Sequence, residues 1–357
     1  MSIVEQIQRQ HLKQLTPYAS ARRSMSGGNI WLNANESPYS NSYTVDDSKL
    51  NRYPEFQSKP LNQAYAEYAG IDASQVLSSR GSDEGIELLI RAFCEPGQDK
   101  VLICPPTYGM YAISAKTFAV GVTEVPLLNS VEVNNWQLDT ESVIEAAAEC
   151  KVIFLCSPSN PLGNALNTDD IEQVLQHSPR SIVVVDEAYI EFSSGDSVVS
   201  WLERYPNLVV LRTLSKAFAL AGIRCGFLLA NDDIIELLQK VLAPYPLPDP
   251  TVQIAVQALQ TSSLERLQQQ VATLLAERDR VQTALEQTPL TLVSESDTNF
   301  LLYQCEDAAG LVKSLTDNDL LIRNQSAQRG LENVVRITIG SAAENDELIQ
   351  QLKDYFS

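Results

Sequence analysis

Histidine is almost missing from this chain: 357 residues contain only His11 and His177, and neither stands near a candidate nucleophile. A histidine-based hydrolase triad and a His-rich metal site are therefore poor readings. Cysteine is sparse and unpatterned. Cys94, Cys104, Cys150, Cys156, Cys225 and Cys305 form no C-x-x-C pair, and several sit in apolar runs where a thiol behaves as a small hydrophobe, so reduced, structural cysteines are expected. Long apolar runs are also lacking, since none approaches the ~20 residues that cross a bilayer. Residues 1–10 show no basic segment followed by an apolar one, so they do not read as a secretory signal, and the cytoplasm is the expected compartment. Positive charge is the minority: 26 Lys and Arg against 45 Asp and Glu leave a formal charge of −19. Such a chain repels nucleic acid and anionic membranes at long range. Any phosphate or carboxylate it binds must be held by a few local arginines and backbone amides.

What is present is an ordinary globular composition on a chain longer than the ~250–300 residues at which single cores tend to split, so two domains are expected. Short apolar runs recur at intervals that leave room for helices: residues 100–104, 151–156, 181–185, 207–211 and 225–230. Strands apolar on both faces predict a sheet covered by helices on both sides. Ile86, Leu89, Ile90 and Phe93, spaced i, i+3, i+4, i+7, predict one of those helices. The segment Leu242-Ala-Pro-Tyr-Pro-Leu-Pro-Asp-Pro250 interrupts this pattern and marks a domain boundary before a polar helical stretch from about Thr251 to Leu285. A strand near 298–303, a helix over 308–316, a strand over 334–339 and a terminal helix then predict a small α+β unit. The whole reads as an α/β protein with a mostly parallel sheet sandwiched by helices and a smaller α+β domain.

Polar residues at strand ends carry the chemistry. Asp186 directly follows Ile182-Val-Val-Val185, with Tyr189 three residues on; it suits a carboxylate that keeps a cofactor pyridine nitrogen protonated, and equally a helix N-cap. Lys216 follows another apolar strand and suits a Schiff-base lysine, although most loop lysines are simply solvated. Ser215 and Arg224 flank it with a hydroxyl and a guanidinium, both able to bind phosphate; Arg224 reads otherwise as a surface ion-pair residue. Ser82 and Asp83 open the helix containing Ile86, where backbone amides form an anion site or where Ser82 merely caps. Asn160, in the turn Ser157-Pro-Ser-Asn-Pro-Leu-Gly163, offers an amide to a cofactor oxygen, and Tyr108 offers a ring for stacking or for plain packing. Lys216, Asp186 and Tyr189 together point to a pyridoxal phosphate enzyme.

Longer stretches sharpen this. Residues 15–23 (LTPYASARR), 31–36 (WLNANE), 50–55 (LNRYPE), 80–93 (RGSDEGIELLIRAF), 104–111 (CPPTYGMY) and 212–227 (RTLSKAFALAGIRCGF) resemble the fold-type-I pyridoxal phosphate aminotransferases, specifically the histidinol-phosphate aminotransferase group. The resemblance covers nearly the whole chain. It implies that Lys216 carries the cofactor, that Asp186 pairs with the pyridine nitrogen, that Tyr189 and Asn160 bond the ring's phenolic oxygen, and that Tyr108 stacks on the ring. It assigns the phosphate to Ser82 and Asp83 amides, Ser215, Arg224 and Tyr53 of a neighbouring subunit, implying a homodimer with shared active sites. Arg336 and Arg323 would hold the anionic ends of both substrates, with Tyr18, Asn35 and Tyr53 beside them. The implied division is an N-terminal segment over 1–47 contributing to the small domain and the site, a large cofactor-binding domain over 48–247 and a small domain over 248–357. The implied reaction converts L-histidinol phosphate and 2-oxoglutarate into imidazole-acetol phosphate and L-glutamate.

Three positions depart from the family pattern: Ser159 where an asparagine is usual, Leu162 where a threonine is usual, and Ser37 where a bulky residue is frequent. They bear on the substrate side rather than on the cofactor. The same lysine, aspartate and arginine framework would also serve a threonine-phosphate decarboxylase or an aromatic amino acid aminotransferase. A non-catalytic cofactor-binding regulator would need an attached DNA-binding module or a lost lysine, and neither is seen.

Overall fold

Strands with apolar residues on both faces need cover on both sides, and this chain provides it. A computed structural model describes residues 2–17, 23, 27–130 and 135–357. In it, side chains of the central strands alternate between two separate cores, as the period of two along a strand requires. Val183 and Val185, Ile153 and Leu155, and Phe227 and Leu229 pack into one core. Val184, Phe154 and Leu228 pack into the other. Helices Lys59–Ala69, Thr140–Ala147 and Thr168–His177 close the first. Helices Ser82–Phe93, Met110–Thr117 and Asp232–Val241 close the second.

The central sheet has seven strands, in the spatial order Val76–Ser79, Gly226–Ala230, Leu208–Thr213, Ile182–Asp186, Val152–Cys156, Lys100–Ile103 and Gly121–Glu124. Gly226–Ala230 runs antiparallel to both its neighbours and the remaining contacts are parallel. The carboxyl ends of six strands thus share one edge, and Gly226 begins its strand at that edge, opposite both Ser79 and Thr213. This is where ligands of α/β sheets bind.

A second, antiparallel sheet joins Thr291–Leu292, Phe300–Gln304, Val334–Thr338 and Arg323–Asn324. Ile30–Trp31 lies parallel to Leu320–Leu321, and the amide of Thr338 donates to the Leu32 carbonyl, so the N-terminal segment is laid along this sheet. Two sequence expectations change. The helix expected from Thr251 to Leu285 is two helices, Asp249–Ala258 and Thr261–Leu285, broken at Gln260, which adopts extended backbone (φ −72°, ψ 152°). Thr261, Ser262 and Ser263 follow, short hydroxyl residues that favour helix starts over helix interiors. The proline-rich segment also ends in helix, because Pro250 falls in a first turn, where its missing N–H costs nothing.

Candidate active site

Asp186 is the last residue of its strand and is almost fully buried. Its Oδ2 accepts from the Tyr111 hydroxyl at 2.6 Å and its Oδ1 from the Ala188 amide at 3.2 Å. Burial pushes this carboxyl up to about 6, against the opposing pull of the Tyr111 hydrogen bond. Two strands cross this edge side by side here, with Cys156 directly beside Asp186.

Lys216 lies three residues past the end of Leu208–Thr213. Its Nζ donates to the Ala34 carbonyl at 3.1 Å and stands 5.7 Å from the Tyr189 ring centroid. Desolvation, reinforced by the positive charge of Arg336, lowers its amine to about 8, so a sizeable fraction is neutral and nucleophilic near physiological pH. The Tyr189 hydroxyl accepts from Asn35 Nδ2 at 2.9 Å and from Asn160 Nδ2 at 3.5 Å. Asn160 Oδ1 accepts from Arg336 Nη1 at 2.6 Å, and Arg336 Nη2 donates to the Asn33 carbonyl at 3.1 Å. The guanidinium also lies 5.2 Å from the Phe300 ring centroid, on the second sheet. Asn35 is buried in the left-handed region (φ 54°), a conformation asparagine tolerates better than most residues. Thr338 Oγ1 holds it there, accepting from its amide at 3.0 Å and donating to its Oδ1 at 3.1 Å.

At the other end of the pocket, Ser82 is the first residue of its helix, preceded by Gly81 at φ 80°. The Gly81–Ser82 backbone passes so close to Gly226 that a Cβ there would meet the Ser82 nitrogen at 2.6 Å. A side chain at 226 would push the helix start away from the sheet edge. Arg224, itself left-handed (φ 53°), reaches Ser215 Oγ at 3.4 Å and Asp83 Oδ2 at 3.3 Å. Tyr108 donates to Asp83 Oδ1 at 2.9 Å and meets Tyr111 edge-on, with ring centroids 5.6 Å apart. Ser82, Asp83, Tyr108, Asn160, Asp186, Tyr189, Ser215, Lys216 and Arg224 thus surround one small pocket of about 100 Å³. It adjoins a cleft of about 680 Å³, lined in part by Asn35, Tyr108, Asn160, Tyr189, Lys216, Arg323 and Arg336. Arg323 faces Arg336 directly across paired strands.

Tyr53 stands apart, 81% exposed and stacked on Tyr245 with ring centroids 4.4 Å apart. Tyr18 lies outside the described residues. Ser159 and Leu162 are buried and line neither space, while Ser37 accepts from the Tyr39 amide. Sequence reasoning missed Tyr111 as the partner of Asp186, although it sits one helical turn beyond Tyr108. It also missed a buried cluster built on Glu187 and Glu191, the residues two before and two after Tyr189. Arg212 donates to Glu187 Oε2 at 2.8 Å, to Ser197 Oγ at 2.8 Å and to Glu191 Oε1 at 3.4 Å. No group of His, Cys, Asp and Glu among the described residues is arranged to hold a metal ion.

A family model for the class I and II aminotransferases matches residues 29–352. The chain belongs to these aminotransferases. It is 99% identical, over all 357 residues of both chains, to histidinol-phosphate aminotransferase 2 of Idiomarina loihiensis, which sets it in the histidinol-phosphate branch of the family. Its fold matches the crystal structure of the histidinol-phosphate aminotransferase of Clostridium acetobutylicum with a TM-score of 0.83 at 25% identity, covering 92% of this chain and 99% of that one. It also matches the Sinorhizobium meliloti histidinol-phosphate aminotransferase in complex with pyridoxal 5'-phosphate, with a TM-score of 0.84 at 21% identity, over 97% and 96% of the two chains. Pyridoxal 5'-phosphate is the cofactor of these aminotransferases. The residues present fit it. A buried carboxylate made more basic by its desolvation suits a pyridinium N–H, and the Gly81–Ser82 turn with Ser215 and Arg224 suits a phosphate. The weakly basic Lys216 amine lines the same pocket.

Proposed function

We propose that the chain moves the amino group of L-histidinol phosphate to 2-oxoglutarate, giving imidazole-acetol phosphate and L-glutamate, with the roles of individual residues as follows. When bound, the cofactor supplies the carbonyl that takes up the amino group and the electron sink that tolerates loss of the α-proton. Lys216 anchors it and, once displaced by substrate amine, holds the amine that removes and returns that proton. Its lowered basicity matches this work, since a proton shuttle is most effective with a pKa near the working pH. Asp186 holds the ring nitrogen protonated, and Tyr111 orients Asp186 from behind. Tyr189 and Asn160 present a hydroxyl and an amide to the ring oxygen, both already fixed by Asn35 and Arg336.

Histidinol phosphate has no carboxylate but carries a phosphate, and glutamate offers carboxylates to the same cations. Arg336 and Arg323, adjacent across paired strands, grip both in turn. One cationic cleft thereby serves two substrates. Asn35 lies on this side, and Tyr18 is assigned here by family resemblance alone. Tyr53, exposed and stacked on Tyr245 in a stretch whose Leu50 and Phe56 are also exposed, reaches the cofactor phosphate of a second copy, which makes the working unit a homodimer. The division into residues 1–47, 48–247 and 248–357 belongs to the same reading, supported by the laying of Ile30–Trp31 along Leu320–Leu321.

The observation that carries this reading is the convergence of Lys216, Asp186 and Arg224 on one pocket that opens towards Arg336 and Arg323. Product analysis tests it: histidinol phosphate with 2-oxoglutarate should yield equal amounts of imidazole-acetol phosphate and glutamate. Release of carbon dioxide from a phosphorylated amino acid, without transfer from histidinol phosphate, would refute it.

A further inference from the structure

Beyond Arg336 and Arg323, a third guanidinium lines the larger cleft, that of Arg329, and so does one carboxylate, that of Glu124. They come from opposite sides of the opening. Glu124 ends the edge strand Gly121–Glu124 of the seven-stranded sheet, whereas Arg329 lies in the loop between Arg323–Asn324 and Val334–Thr338 of the four-stranded one. Arg329 Nη1 stands 3.6 Å from Glu124 Oε2, so this ion pair spans the cleft from one sheet to the other.

The backbone beneath Arg329 is fixed. The Gln325 amide donates to the Val334 carbonyl at 2.8 Å, the Gln328 amide to Gln325 at 3.0 Å and the Leu331 amide to Gln328 at 3.2 Å, with Leu331 buried. The side chains above it are not: Arg329 is 62% exposed and Glu124 46%. A pair this open and this long is weak and screened, so a better anion displaces Glu124 readily. A phosphate monoester is that anion. Near pH 7 it carries close to two charges and three acceptor oxygens, while each carboxylate of glutamate carries one charge. In a chain without the Arg329 cation, Glu124 would be an unneutralised charge at the opening and would repel a phosphate more strongly than a carboxylate.

We propose that Arg329 is a phosphate-selectivity residue, parked on Glu124 in the unliganded chain and handed to the substrate phosphate when histidinol phosphate enters. The assignment rests on the histidinol phosphate reading above. Exchange of one ion pair for another within one cleft favours the dianionic substrate over the amino-acid partner that shares it. Arg336, buried and tied to Asn160, serves both substrates; Arg329 distinguishes them.

The test compares kcat/KM for L-histidinol phosphate with kcat/KM for L-glutamate in wild type, Arg329→Gln and Glu124→Gln. Arg329→Gln should lower the ratio about tenfold, the loss of one charge-assisted contact discounted for exposure. Glu124→Gln should raise it about two- to threefold by freeing the arginine. Inorganic phosphate, used as a competitor of histidinol phosphate, should bind about tenfold more weakly to Arg329→Gln, which reads the anion contact without turnover. An unchanged ratio in Arg329→Gln, an equal loss for both substrates, or a fall in Glu124→Gln would overturn the assignment while leaving the transamination reading intact. Failure of wild type to turn over histidinol phosphate would overturn both.

Discussion

The small pocket and the larger cleft beside it are built on opposite lines. In the pocket, Asp186, Tyr189 and Asn35 are buried, Asn160 is partly so, and each is held by a second group: Asp186 by Tyr111, Tyr189 by Asn35, Asn160 by Arg336 and Asn35 by Thr338. In the cleft opening, Arg329 and Glu124 are half-exposed and have only loose contact. Burial is what moves Asp186 to about 6 and Lys216 to about 8. Charges at the opening, bathed in solvent, exert weaker and more adaptable effects. The difference teaches where each property resides. Chemistry needs groups whose protonation is set in advance and whose position does not change, whereas choice between a phosphate and a carboxylate needs charges that can be exchanged.

The comparison breaks most sharply at Lys216. Lys216→Ala should keep the circular dichroism spectrum of the wild type and lower turnover by more than about 10⁴-fold, as loss of both the anchoring amine and the proton shuttle implies. Substantial remaining activity with histidinol phosphate would remove the lysine from its role. Asp186→Asn should lower kcat about 10²- to 10³-fold with little change in substrate affinity, as expected when charge on the ring is stabilised mainly in the transition state. The same substitution sharpens the account of burial. Asp186 titrates at about 6 in the fold and at 3.8 when free, so the folded chain binds the extra proton between those values. The cofactor-free wild type is therefore destabilised as pH rises from about 4 to 6, by roughly 3 kcal/mol at the top of that range. Asp186→Asn should accordingly raise the Tm of the cofactor-free protein at about pH 7, with the gain vanishing towards about pH 4. A gain independent of pH would show that the buried charge is not its source.

Next in size is the buried Arg212 cluster. Arg212→Ala leaves Glu187 and Glu191 buried without their cation, and a urea melt should register a loss of about 3–5 kcal/mol. A loss under about 1 kcal/mol, the range of exposed pairs, would place this cluster with the loose charges of the opening. The smallest effect concerns the second copy. Mixing Lys216→Ala subunits with Tyr53→Phe subunits should restore one intact site per heterodimer, and so about half of wild-type activity, if Tyr53 acts across the interface. No recovery above the Tyr53→Phe homodimer, in a verified heterodimer, would argue that it does not.

The fold was legible where local pattern decides it. Apolar runs bounded by polar residues revealed the five central strands, and Ile86, Leu89 and Ile90 revealed the helix that covers them. Two strands of the same sheet escaped, Val76–Ser79 and Gly121–Glu124, each only four residues long and, in the second case, exposed at both ends on the sheet edge. Lys216 and Asp186 were legible because a charged residue at or just beyond the end of an apolar strand is conspicuous. Their partners were not. Tyr111 reaches Asp186 across 75 residues, Asn35 reaches Tyr189 across 154 and Arg336 reaches Asn160 across 176, and no local periodicity encodes contacts of that span. The close pass of Gly226 over Gly81 and Ser82 likewise exists only once two strands distant in sequence have paired, and the meeting of Glu124 with Arg329 only once both sheets are in place.

The most direct test of the central claim, that one lysine and one cationic cleft serve both half-reactions, is a visible titration of the cofactor-loaded protein. L-Histidinol phosphate should bleach the band of the lysine-bound cofactor stoichiometrically, and 2-oxoglutarate should restore it. A band that is indifferent to histidinol phosphate and bleaches only with a different amine would contradict the account.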